Sequence, residues 1–288
     1  MKRLSAMLPQ FYSTKKILLF AKMQRAVFAI DYFEIKWYNC ESLLKGKGFM
    51  AITTILFDLD GTLLPMDQDA FVKGYYTELA KKASGFGYEP AEFVNAVKQG
   101  TYAMLKNLSD KTNEQVFWER FAQIYGEKGL KDKPMFDDFY LNEFLKTKEF
   151  CGYNPESQKL IKRLKEMGLR VALATNPLFP SIATEHRIAW AGLEKGDFEI
   201  VTTYENSKSC KPQLKYYSEV MNALGVTAKE CVMVGNDTSD DMVARELGIK
   251  VFLLTEHLIN EKGLDINEFP NGSFEDLVEF IKGLLCAI

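Results

Sequence analysis

The sequence predicts an α/β domain: a parallel sheet with helices on both faces, and an all-helical block inserted after the first strand. Three observations predict it. From Pro155 onward, short apolar runs alternate with helical periodicity, and Gly168, Gly192, Gly225 and Gly248 close the helices as C-cap residues. The earlier run "ITTILFDLD" (Ile52–Asp60) is β-branched and apolar until its acids, as a strand buried on both faces should be. Between the two lie 89 residues, Pro65 to Tyr153, that read as helices only.

Within that block, Asp67–Lys81 has helical spacing and "GFGY" breaks it. Pro90 opens a second helix at the favoured first-turn position and carries it to about Leu105. Asn113–Tyr125 and Pro134–Lys146 are the third and fourth. Beyond the block, Pro155–Met167 is an amphipathic helix and "RVALATN" a strand; Pro180–Ala191 is a helix and "DFEIVTTY" a strand. Gln213–Leu224 is a helix, "CVMVGND" a strand, Asp240–Leu247 a helix, "KVFLLT" a strand and Phe274–Leu285 the last helix. Strands alternating with helices of this length give a parallel sheet of the Rossmann-like kind.

The composition is that of a globular protein, 47% hydrophobic and 26% charged, with net charge −3. That balance argues against a general nucleic-acid binder. No apolar run reaches about 18 residues, so no membrane span is expected. The five cysteines lack metal-ligand or disulfide spacing, which fits reduced thiols in the cytoplasm.

Residues 1–49 differ from the rest. They hold nine basic and three acidic residues, a charge of +6, which leaves −9 for residues 50–288. A transit peptide, which would direct organelle import, and a basic membrane-surface helix are two readings. The third is that these residues lie outside the natural protein. Lys45–Met50 must be encoded AAR-GGN-AAR-GGN-TTY-ATG, which places a ribosome-binding-like purine block just ahead of the Met50 codon. The expectation is a functional start at Met50, with 50–64 and 154–288 forming the catalytic core and 65–153 the helical insert.

Open parallel sheets bind ligands at the carboxyl ends of their strands. Asp58 and Asp60 end the first strand, and Thr175 and Asn176 the second. Lys208 and Lys211 follow the third, and Asn236, Asp237, Asp240 and Asp241 the fourth. Any one of these has an ordinary explanation as a turn, cap or solvated residue. Together they crowd carboxylates onto one rim, which costs stability unless a cation neutralises them. Oxygen-rich sites of this sort suit Mg²⁺ and a substrate phosphate.

These residues resemble the motifs of the haloacid dehalogenase-like (HAD) superfamily. "FDLDGTLL" is similar to its first motif, "ALATN" to its second, "KP" at Lys211 to its third and "VMVGNDTSDDM" to its fourth, in order, across Ile52 to about Leu285. The helical insert resembles the cap that many members carry. The resemblance implies a phosphatase that acts on a small phosphorylated metabolite. Asp58 would be nucleophile and metal ligand, and Asp60 general acid/base and metal ligand. Thr175, Asn176 and Lys211 would hold the phosphate, Asp241 would be the second acid of the fourth motif, and Mg²⁺ the cofactor. The fourth motif departs from the family pattern, because Asn236 follows Gly235 where an acid is usual. Asn236 is the preferred ligand and Asp237 the alternative.

The second acid narrows the chemistry. A dehalogenase has no alkoxide to protonate, and that branch lacks an acid at the Asp60 position. A phosphomutase keeps both acids and is the alternative within the fold. A phospho-receiver domain would be about half this length without the insert, and a non-catalytic binding module would have lost a motif acid. His186 and His257 lie far from every motif. Phe71, Tyr75, Tyr76, Tyr102, Phe117 and Trp118 are read as core of the insert rather than a substrate platform.

Overall fold

The computed structural model describes residues 52–286. The expectations for residues 1–49 and for a start at Met50 fall outside them. The sheet has five strands in the order β2-β1-β3-β4-β5: β1 (Thr54–Phe57), β2 (Arg170–Leu173), β3 (Cys231–Gly235), β4 (Lys250–Leu254) and β5 (Asn271–Gly272). Every pairing is parallel. In β1 all four residues are buried, as a central strand covered on both faces requires. Leu56 on one face packs with Ala172, Met233 and Leu253 of its neighbours and with Tyr216, Tyr217 and Val220 of a covering helix. Ile55 and Phe57, fully buried, point the other way.

Between β1 and β2 the chain forms α1 (Gln68–Ser84), α2 (Pro90–Leu105), α3 (Asn113–Lys131) and α4 (Lys133–Leu141), then a 3₁₀ turn, Glu143–Phe150. After the insert come α5 (Pro155–Glu166), α6 (Ser181–Trp190), α7 (Leu214–Leu224) and α8 (Phe274–Cys286). Caps fix their starts. Asp67 accepts from the Ala70 N–H, and Thr112 with Gln115 forms a capping box ahead of α3. Gly225 ends α7 in the left-handed region, as its position predicts.

Four elements differ from the sequence reading. "DFEIVTTY" makes only an isolated parallel bridge, Leu173 to Val201, although Glu199, Leu173 and Thr202 exchange backbone hydrogen bonds along the outer edge of β2. The expected helix Asp240–Leu247 is a short 3₁₀ turn, Met242–Leu247, because the side chains of Asp237 and Asp241 take the backbone N–H groups that precede it. The fourth helix stops at Leu141, where Asn142 leaves helical geometry and its side chain turns back to Asp138. The third runs six residues past Tyr125, across a break at Gly126 (φ 60°).

Several contacts tie the insert to the sheet layer. Its entry and exit chains pair antiparallel: Asp67 donates to Phe150 (3.1 Å), Gly152 donates to Pro65 (2.7 Å), and Met66 bridges Cys151. Phe71, Tyr75 and Phe144 pack edgewise or tilted on Phe179, and Phe144 stacks on Trp190. The start of α3 meets the loop before Lys211. The backbone N–H groups of Asn113 and Glu114 donate to Ser207 and Tyr204 (2.8 Å each), and the fully buried Asn113 amide donates to Ser209 (3.2 Å), Pro177 (3.3 Å) and Cys210 Sγ (3.2 Å).

Candidate active site

The carboxyl end of β1 delivers Asp58 into the sheet's rim. Its backbone N–H donates to Val234 (2.9 Å), so it continues the β3 pairing by one residue and cannot slip. The chain then turns tightly, with Thr62 and Leu64 both donating to Leu59, and this returns Asp60 beside Asp58. Gly61 makes that turn possible. Its φ is +80°, and a Cβ there would stand 2.3 Å from Asn236 Nδ2.

Asp58, Lys211 and Asp241 form one buried chain. Lys211 Nζ donates to Asp58 Oδ1 (2.8 Å) and to Asp241 Oδ1 (2.6 Å), and Lys211 is 1% exposed. Asp241 uses its other oxygen to accept the Asp237 N–H at 3.0 Å. Gly235 leaves the room for it, since a Cβ there would meet Asp241 Oδ2 at 2.1 Å. Burial pushes the Asp58 carboxyl up to about 7, with Lys211 opposing the shift and Asp241 and Asp60 adding to it. Burial works against the Lys211 ammonium, but Asp241 and Asp58 outweigh it and hold Lys211 well above its ordinary value.

Asn236 and Asp237 hold different posts. Asn236 Oδ1 accepts from the Thr62 hydroxyl (3.1 Å), and its Nδ2 donates to the His257 carbonyl (2.7 Å). The amide oxygen therefore faces the β1 turn. Asp237 Oδ1 accepts from the backbone N–H groups of Ser239 (2.6 Å) and Asp240 (2.9 Å), as a turn-capping carboxylate does. Burial, aided by Asp237, pushes Asp240 up to about 6. Asn176 Nδ2 donates to Asp240 Oδ2 (3.0 Å), while its Oδ1 is buried without a partner among the described residues. Thr175 is buried, and its carbonyl is held by Thr202 (2.6 Å) and Tyr216 (2.9 Å). All the residues singled out at the strand ends thus sit at one rim except Lys208, which lies exposed on the loop.

One residue that the sequence did not single out belongs here. Arg187, in the last turn of α6 and 1% exposed, donates from Nη1 to Asp60 Oδ2 and lies 4.5 Å over the Phe179 ring. Asp60 Oδ1 is buried with no hydrogen-bond partner among the described residues. Burial raises the Asp60 carboxyl, and Arg187 and Lys211 oppose that shift. A lone arginine on a helix face shared with Ala183, Thr184 and Ile188, all buried, was the available signal.

The donors at the rim are all oxygens, from carboxylates and the Asn236 amide, which is the hard-ligand chemistry that Mg²⁺ takes. Among the described residues no three His, Cys, Asp or Glu side chains are grouped as a metal cage. Burial first, and then the charges of Asp241 and Asp60, push the Asp58 carboxyl up, a cost that a bound cation would relieve, so the rim fits one. Neither histidine takes part through its side chain: His257 is exposed, and the half-buried His186 lies against Phe144. A groove of 1090 Å³ between α1 and α2, bordered by Tyr76, Lys98 and Tyr102, is lined by none of the rim residues.

Residues 52–248 match the family model of the haloacid dehalogenase-like hydrolases. The glyceraldehyde 3-phosphate phosphatase of Methanocaldococcus jannaschii is 28% identical over 81% of this chain and 98% of its own length. The phosphoglycolate phosphatase of Pseudomonas syringae pv. tomato is 24% identical over 80% of this chain and 79% of its own. The crystal structure of a HAD phosphatase from Thermococcus onnurineus shares the fold, with a TM-score of 0.50 and 19% identity over 80% of this chain and 98% of that one.

Proposed function

Given that the chain belongs to the haloacid dehalogenase-like hydrolases, we propose that it is a phosphatase that cleaves a small phosphorylated metabolite through an aspartyl-phosphate on Asp58. The observation that carries this reading is the buried Asp58–Lys211–Asp241 chain with Asp60 at its side. Relatives named as phosphatases support it.

An Asp58 oxygen attacks phosphorus, and the bond from phosphorus to the leaving oxygen breaks. Asp60 gives its proton to that oxygen, then takes one from the water that attacks phosphorus; the bond from phosphorus to the Asp58 oxygen breaks, which frees inorganic phosphate and restores the Asp58 carboxylate. Lys211 aims Asp58 and sets positive charge beside the incoming phosphoryl oxygens, and Thr175 and Asn176 supply polar groups to the same oxygens. Asp241 holds Lys211 in place. Asp58, Asn236 and the Asp60 turn would hold Mg²⁺, whose charge screens the carboxylate from the phosphate dianion. Asp237 caps the turn that carries Asp241, and Asn236 is the better placed of the two as a ligand.

Hydrolysis of p-nitrophenyl phosphate with and without Mg²⁺ tests this. Wild-type protein turns over with Mg²⁺ and stops with chelator, while Asp58→Asn loses at least about 10³-fold, as expected for a lost nucleophile. Undiminished turnover by Asp58→Asn would remove Asp58 from the chemistry.

A further inference from the structure

Asp60 is held from behind, and its two oxygens are not equivalent. Oδ2 accepts from Arg187, whereas Oδ1 is buried and has no partner among the described residues. A guanidinium only donates hydrogen bonds and stays charged. The oxygen facing it therefore cannot carry the carboxylic proton. Arg187 is itself fixed on every side. Its Nε donates to Ala183 (3.3 Å), its Nη2 donates to Thr184 (3.3 Å), and its plane lies over Phe179. Phe179 in turn packs against Phe71, Tyr75 and Phe144 of the insert. A fully buried arginine whose only carboxylate partner among the described residues is Asp60 costs too much in desolvation to serve packing alone.

We propose that Arg187 is a positioning residue for the leaving-group step: it pins Asp60 Oδ2, confines the proton to Oδ1, and presents that oxygen to the departing oxygen of the substrate. The inference rests on Asp60 being the general acid of the proposed reaction. In that step the phosphorus–oxygen bond to the leaving group breaks while the Asp58–phosphorus bond forms, and the Oδ1 proton passes to the leaving oxygen. Arg187 touches neither phosphorus nor substrate, so its loss weakens only the part of the rate that depends on that proton.

Two substrates of nearly equal shape separate this from a structural role. p-Nitrophenyl phosphate releases a stabilised phenolate that needs no proton, whereas phenyl phosphate releases one that does. The quantity to measure is the ratio of their kcat/KM values in one preparation, because the fraction of folded enzyme cancels. Arg187→Met is expected to lower kcat/KM for phenyl phosphate about 10²-fold and for p-nitrophenyl phosphate less than about tenfold. Arg187→Lys, which keeps the charge without the fork, should fall between, and it carries the test if the Met variant does not fold. Asp60→Asn is the control. If its ratio does not shift, Asp60 is not the acid and the proposed mechanism fails. If its ratio shifts while both Arg187 variants lose the two activities equally, the mechanism stands and the role of Arg187 is overturned.

Discussion

At the scale of single residues, the site turns on which atoms are already engaged. Asn236 and Asp237 are adjacent acceptors at the end of β3, but Asp237 Oδ1 is taken by two backbone N–H groups. Asn236 Oδ1 accepts one hydroxyl and keeps its second lone pair. Asn236→Ala should therefore raise the Mg²⁺ concentration for half-maximal activity by at least roughly 10–100-fold, the penalty that losing even an outer-shell partner of a ligand carries. Asp237→Ala should leave it nearly unchanged and lower stability by about 1 kcal/mol through the lost cap. A magnesium titration of each variant with p-nitrophenyl phosphate decides the order, and the reverse order would make Asp237 the ligand.

At the scale of elements, the start of α3 is fastened to the loop that delivers Lys211. Asn113 supplies the buried donors, and Cys210 stands next to Lys211 in that contact. Removing the amide leaves buried carbonyls at Ser209 and Pro177 short of a donor, a cost of about 1–3 kcal/mol. Burial pushes the Cys210 thiol up to about 12, so it stays neutral and unreactive while the contact is closed. The sign follows. The neutral thiol favours folding fully below the ordinary thiol range, and that contribution is lost as pH rises toward 12. At pH 8, Asn113→Ala should raise the rate at which a thiol reagent labels Cys210, followed by peptide mass spectrometry. An unchanged rate would mean that Asn113 does not hold the insert to this loop.

At the scale of the molecule, most of the site was legible because parallel strands bring their carboxyl ends to one rim. Asp58, Thr175, Asn236 and Asp241 could be placed from strand ends alone, and Lys211 from its place after the third apolar run. Arg187 could not, because it belongs to a helix and not to a strand end, and only the fold brings α6 against the β1 turn. The edge run Asp197–Tyr204 has the apolar character of a strand, but it bonds on one side only and forms a single bridge. The aromatic residues of the insert were read correctly as core at Phe71, Tyr75, Phe117 and Trp118, which are buried, whereas Tyr102 is 61% exposed. The 3₁₀ turn after β3 escaped the pattern because side-chain caps, not apolar spacing, decide its geometry.

The arrangement as a whole commits one oxygen of Asp58 to Lys211 and, on the proposed mechanism, the other to phosphorus. The most direct test is to mix enzyme, Mg²⁺ and p-nitrophenyl phosphate, quench in acid within the first turnover, and map phosphorylated peptides by mass spectrometry. The expected result is a phosphoryl group on Asp58, absent from Asp58→Asn. Active turnover with the phosphoryl group on another residue, or with none trapped at any quench time, would contradict the aspartyl-phosphate route.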